Sequence, residues 1–159
     1  MTTKKPEVQI SLTKEQYRTL VEMVNCGEWM INATRVDRLK KYEKLQQYVY
    51  SFTKQAALQD CIDYDDEFKM YFPLKEFEET TLLPLRDEYD QESFWDELID
   101  QLGSRDLIRQ YGADGFAKLS NEERFAARDR VEEKYGKEFE ENGVENLVVA
   151  PQAPVPVRE

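Results

Sequence analysis

The apolar positions of this chain change period several times, and each change predicts an element. Val8, Ile10 and Leu12 alternate with Gln9 and Ser11, the two-residue period of a half-buried strand. Thr13 and Gln16 then have the spacing of a capping box, with Leu12 and Tyr17 as its hydrophobic staple. Tyr17, Leu20, Val21 and Val24 follow at helical steps, and the helix is expected to stop before Gly27. Trp29, Met30 and Ile31 form an apolar knot that fits either an extension of that turn or the start of the next helix. Val36, Leu39, Tyr42, Leu45, Tyr48, Val49, Phe52 and Ala56 keep helical spacing to about Leu58 with no Gly or Pro between them. This run predicts the longest helix in the molecule.

Between Asp60 and Pro84 the pattern weakens. Pro73 and Pro84 bracket a segment in which Phe77, Thr81 and Leu82 suit a short helix, so a loop, a helix and a turn are expected. The stretch from Tyr89 to Tyr111 carries the fullest set of helix signals. Asp90 is placed as N-cap, Tyr89 and Phe94 as staple, and Phe94, Trp95, Leu98, Ile99 and Leu102 make a broad stripe. Gly103 then suits a left-handed cap, and Ser104 can start a second, shorter helix with Leu107, Ile108 and Tyr111, ending at Gly112. Two helices meeting at a tight corner are predicted. A loop to Leu119 leads to a capping box at Ser120 and Glu123, and a helix turning Phe125, Val131, Tyr135 and Phe139 inward as far as Gly143. Leu147, Val148 and Val149 are strand formers.

The pattern as a whole predicts a mainly α protein, a compact bundle of five or six helices. A small two-stranded β clasp is expected to join the N- and C-terminal ends, since neither short apolar run would survive alone. The expected organisation is a flexible N-terminus over 1–7, one globular helical domain over 8–149, and a disordered Pro-rich tail over 150–159.

Charge alters this picture by being uneven. The net charge of -11 resolves into 10 basic and 6 acidic side chains over 1–59, 3 and 15 over 60–100, and 9 and 12 over 101–159. The excess therefore lies in the middle segment. An acidic band beside a basic N-terminal third favours docking to a basic protein surface or self-association, and argues against nucleic acid as partner. No apolar run approaches a membrane span and no secretory leader opens the sequence, so no membrane partner and a cytoplasmic location are expected, with Cys26 and Cys61 as free thiols. Histidine is absent, which removes the commonest general base, the usual serine and cysteine activation schemes and histidine-bearing metal sites.

Four constellations remain as candidate chemistry. Asp60, Asp63, Asp65, Asp66 and Glu67 crowd one segment, but as a calcium loop it fails, with Phe68 where a glycine must turn the chain and Leu74 where a bidentate glutamate is required. Asp96, Glu97 and Asp100 share one side of a helix and are the candidate ligands for magnesium. Glu97 and Asp100, three apart, resemble one half of the carboxylate set of the all-helical nucleotide pyrophosphatases of the MazG type; the resemblance covers that half only. It implies hydrolysis of a phosphorylated small molecule. The basic segment Arg35, Arg38, Lys40, Lys41 and Lys44 is interleaved with Tyr42, Tyr48 and Phe52, aromatics whose spacing places them in the core. Ser51 and Lys54 fit a serine-to-lysine string without its companion motifs. Cys26, at its expected helix end, and Cys61, beside Asp60 and Asp63, are poor nucleophiles.

The FWDEL and RDL segments and the KYGKEFEENG helix end resemble those of small uncharacterised bacterial proteins. The function expected is a non-enzymatic binding or regulatory protein that meets a basic partner through an acidic surface of Asp63, Asp65, Asp66, Glu67, Asp96 and Asp100, with no cofactor. The alternative is a magnesium-dependent hydrolase using Asp96, Glu97 and Asp100.

Overall fold

In the computed structural model, residues 8–148 are described, and they are mainly α with one two-stranded antiparallel sheet. The expectations for 1–7, Val149 and the tail lie outside the described residues. The chain groups into two compact units whose division falls after Asp90.

In the first unit, helix α1 spans Lys14–Asn32, and its capping box is present: Thr13 Oγ1 accepts from Gln16 N, and Gln16 Oε1 accepts from Thr13 N. The helix does not stop at Gly27. Its buried positions Tyr17, Val21, Asn25, Glu28 and Asn32 keep helical spacing, but beyond Val24 they are polar, so a stripe sought in apolar residues alone ends too early. Each of these polar groups is partnered, which is what makes their burial tolerable.

The long helix expected over 36–58 is shorter. Helix α2 spans Lys40–Tyr50, and turns follow it to Ala57, whose φ of 52° is left-handed. Thr53 explains the stop: its buried hydroxyl donates to Tyr50 O and its N–H also reaches Tyr50 O, tightening the backbone out of the α path. Tyr48 is 63% exposed, so this aromatic is not core as expected.

Strands β1 (Ile62–Asp65) and β2 (Met70–Pro73) form the sheet, with Asp63 opposite Phe72 and Tyr64 opposite Tyr71. The clasp expected between the chain ends is not what this sheet is. Val8–Leu12 carries no strand, with Val8 and Ile10 87% and 76% exposed, and Leu147 and Val148 carry none. Pairing across four turn residues costs far less chain entropy than pairing across the whole domain, and the hairpin has a core to sit on. Ile62 is buried in that core with Tyr17, Val21, Val49, Tyr50, Leu58, Cys61, Phe77 and Leu82.

A three-residue turn, α3 (Lys75–Phe77), opens a continuous helical path through a π turn, Glu78–Leu82, into α4 (Leu83–Tyr111). Pro84 does not end this path as expected. In the widened turn Leu83 N–H donates five residues back to Glu78 O, which makes room for a proline that has no N–H to give. Helix α4, with 29 residues, is the longest described. No break occurs at Asp90, and the corner expected at Gly103 is absent.

In the second unit Gly103 is buried inside α4, where an added Cβ would lie 3.3 Å from Val131 Cγ1. It is a close-packing glycine against helix α6 (Asn121–Asn142) and not a cap. Gly112, with φ of 71°, ends α4 and precedes a short helix, α5 (Ala113–Lys118), where a loop was expected. The Ser120 and Glu123 capping box and the Gly143 stop are present. Tyr135 and Phe139 turn inward with Ala127, whereas Phe125 is 73% exposed and Val131 half-buried.

Candidate functional site

The hairpin is built so that one face meets the core and the other meets water. Ile62, Tyr64, Tyr71 and Pro73 share the first face; Asp63, Asp65, Met70 and Phe72 share the second, because side chains alternate along a strand and opposed residues point the same way. Two features fix it in place. Asp65 Oδ1 accepts from Glu67 N and Phe68 N, at 2.8 and 2.9 Å, and Lys69 closes the turn at φ of 56°. On the other side of β2 the Gln47 amide donates to Tyr71 O at 2.9 Å and accepts from Tyr71 N at 2.7 Å, standing where a third strand would pair.

The outward face therefore holds two carboxylates one strand period apart, beside exposed aromatic rings. Phe72 is 41% and Phe68 65% exposed, and their rings meet edge-on at 6.0 Å. A concavity of about 490 Å³ runs along this surface, lined by Asp63, Asp65, Phe68, Phe72 and Leu74 among others. One oxygen of each aspartate is used locally, that of Asp63 accepting from Tyr64 N at 2.8 Å, which leaves the second oxygen of each without a bond among the described residues. Asp66 and Glu67 are exposed in the turn, Asp66 beside Lys69 at 3.8 Å. Carboxylate and aromatic surface together attract a guanidinium or ammonium group, which gains from both a negative charge and a ring face.

Of the residues predicted from sequence, Asp63, Asp65, Asp66 and Glu67 are brought together on the hairpin of the first unit. Asp96, Glu97 and Asp100 are exposed on α4 in the second. Among the described residues, no three or more His, Cys, Asp or Glu side chains gather closely enough to hold a metal ion. Cys26 sits inside α1 and not at its end, so the helix-end argument about its reactivity falls. Burial, and then the neighbouring Asp60, push the Cys61 thiol up. No helix of the described residues is long and apolar enough to cross a membrane.

Sequence reasoning missed the buried polar network on α1. Asn25 Nδ2 donates to Tyr50 OH at 2.7 Å, and Asn25 Oδ1 accepts from Arg86 Nη2. Glu28 Oε1 accepts from Asn32 Nδ2 and from Arg38 Nη2, both at 2.7 Å, and Asn32 Oδ1 accepts from Leu39 N at 2.8 Å. Three-, four- and seven-residue spacing of Asn25, Glu28 and Asn32 behind the apolar stripe was the available signal. Arg38, assigned to a basic segment, is thereby tied to Glu28, while Lys40, Lys41 and Lys44 stay exposed.

Compared with protein-family models, with curated proteins and with solved structures, the chain finds no match.

Proposed function

We propose that this protein is a non-enzymatic binding protein that engages a basic protein partner, and that the outward face of the hairpin is where it does so. The observation that carries the reading is the pairing of Asp63 and Asp65 with exposed Phe68 and Phe72 on one rigidly held surface. Charge alone would be a solvated face; the rings beside it offer a cation more than screening water does. The absence of histidine from the whole chain supports a role in binding over catalysis.

The test uses a labelled nona-arginine peptide and the intact chain, followed by fluorescence anisotropy. Affinity is expected to fall steeply between low and high salt. Asp63→Asn with Asp65→Asn is expected to weaken binding at least fivefold, since asparagine keeps the turn bonds while removing both charges. Asp96→Asn with Asp100→Asn changes net charge equally and is expected to leave affinity within twofold. Salt-insensitive binding, or equal loss in the two double variants, would sink the assignment to the hairpin.

A further inference from the structure

A second concavity in the first unit, of about 440 Å³, lies between α1 and the first turns of α4. Its apolar lining comes from Met23, Trp29, Met30, Leu85 and Tyr89, with Met23 and Met30 66% and 55% exposed. The volume falls within the range of small-molecule pockets, roughly 300–1,000 Å³, and thioethers adapt to flexible alkyl chains.

Two features of this groove exceed what packing requires. Arg86 lines it without any carboxylate partner among the described residues. Its guanidinium lies 5.4 Å above the Trp29 ring, Nη2 donates to the neutral Asn25 amide, and Nε is buried with no hydrogen-bond partner. Glu22, the one acid in the lining, is matched by Arg18 at 3.3 Å. Among the described residues, the groove therefore holds a cation with no carboxylate partner against apolar walls. The second feature is Gly27, which sits in the interior of α1, where glycine is a poor helix former, and a Cβ there would meet nothing within 4 Å. No neighbour requires this glycine, and its effect is to leave the floor of the groove open.

We propose that this groove binds an amphipathic monocarboxylate of the medium-chain fatty acid class, its carboxylate against Arg86 and its alkyl chain along Met23, Met30 and Leu85. A free acid suits the lining better than the end of a peptide. Peptide N–H groups buried here would need acceptors, and the one carboxylate in the lining, Glu22, is already engaged by Arg18.

Isothermal titration of decanoate into the intact chain is expected to give saturable binding. Decanol, with the same chain and no charge, is expected to bind at least tenfold more weakly, and Arg86→Gln to weaken decanoate at least tenfold. Gly27→Leu is the second variant. It fills the groove while improving helix propensity, so binding should vanish with helical content kept and thermal stability raised. No saturable heat, decanol matching decanoate, or undiminished binding in Gly27→Leu overturns the proposal, and so does preference for a peptide with an apolar C-terminus. Gly27→Leu decides the location even if Arg86→Gln does not fold.

Discussion

Two tyrosines show how single side chains set the conditions under which the first unit persists. Tyr17 OH donates to Val49 O at 2.5 Å and Tyr50 OH accepts from Asn25, and burial raises both phenols from an ordinary 10.0 to about 12. A phenol raised in the folded state contributes stability that is whole below its unfolded value and disappears as pH climbs through the folded one. Denaturant unfolding between pH 10 and about 12 should therefore show falling stability, tracked by tyrosinate absorbance. Tyr50→Phe is expected to flatten that limb while costing about 1–3 kcal/mol at neutral pH, because Asn25 then loses a buried acceptor. At this scale much was legible in advance. Thr13, Gln16, Ser120 and Glu123 declared their caps through spacing alone, since a cap is made by residues three apart whatever surrounds them. Gly103 misled for the opposite reason: its role depends on Val131, a partner far along the chain.

Among elements, α4 and α6 are joined through one carboxylate. Asp106 Oδ2 accepts from Tyr135 OH at 2.6 Å and lies 3.5 Å from Lys134 Nζ, while Arg105 bonds to Oδ1 and to the Tyr135 hydroxyl. The Tyr135 hydroxyl above all, and then Arg105, hold Asp106 down to about 2 from the ordinary 3.8. A carboxylate lowered in this way contributes stability that is complete above its unfolded value and is lost as pH falls from 3.8 to about 2. Asp106→Asn is expected to cost roughly 1 kcal/mol at neutral pH, a low figure because a quarter of the side chain stays in water. Its loss of stability between those two pH values should also be shallower than in the parent, as read by urea unfolding. Element boundaries were legible where local chemistry decides them and hidden where packing does. The hairpin escaped notice because Asp63 and Asp65 read as loop residues, although Ile62, Tyr64, Tyr71 and Pro73 alternate as a strand face requires.

For the whole molecule, burial is unequal. Nine buried apolar side chains form the core of the first unit, against Leu107, Ala127, Tyr135 and Phe139 described in the second. Amides around Val21 are therefore expected to exchange with solvent at least tenfold more slowly than those of α6, measured on the intact chain; equal protection would mean that both units open in one event. The acidic excess was visible from composition. Its allotment was not: Asp63 to Glu67 belong to the first unit and Asp96 and Asp100 to the second, a partition that net charge along a sequence does not encode.

Gln47 gives the small sheet a further property. Because one side-chain amide occupies both outward backbone groups of Tyr71, a foreign strand finds the β2 flank already taken, and templated stacking into fibrils has no foothold there. One flank of a two-stranded ribbon rich in aromatic residues is thus closed by a single glutamine acting as a seal.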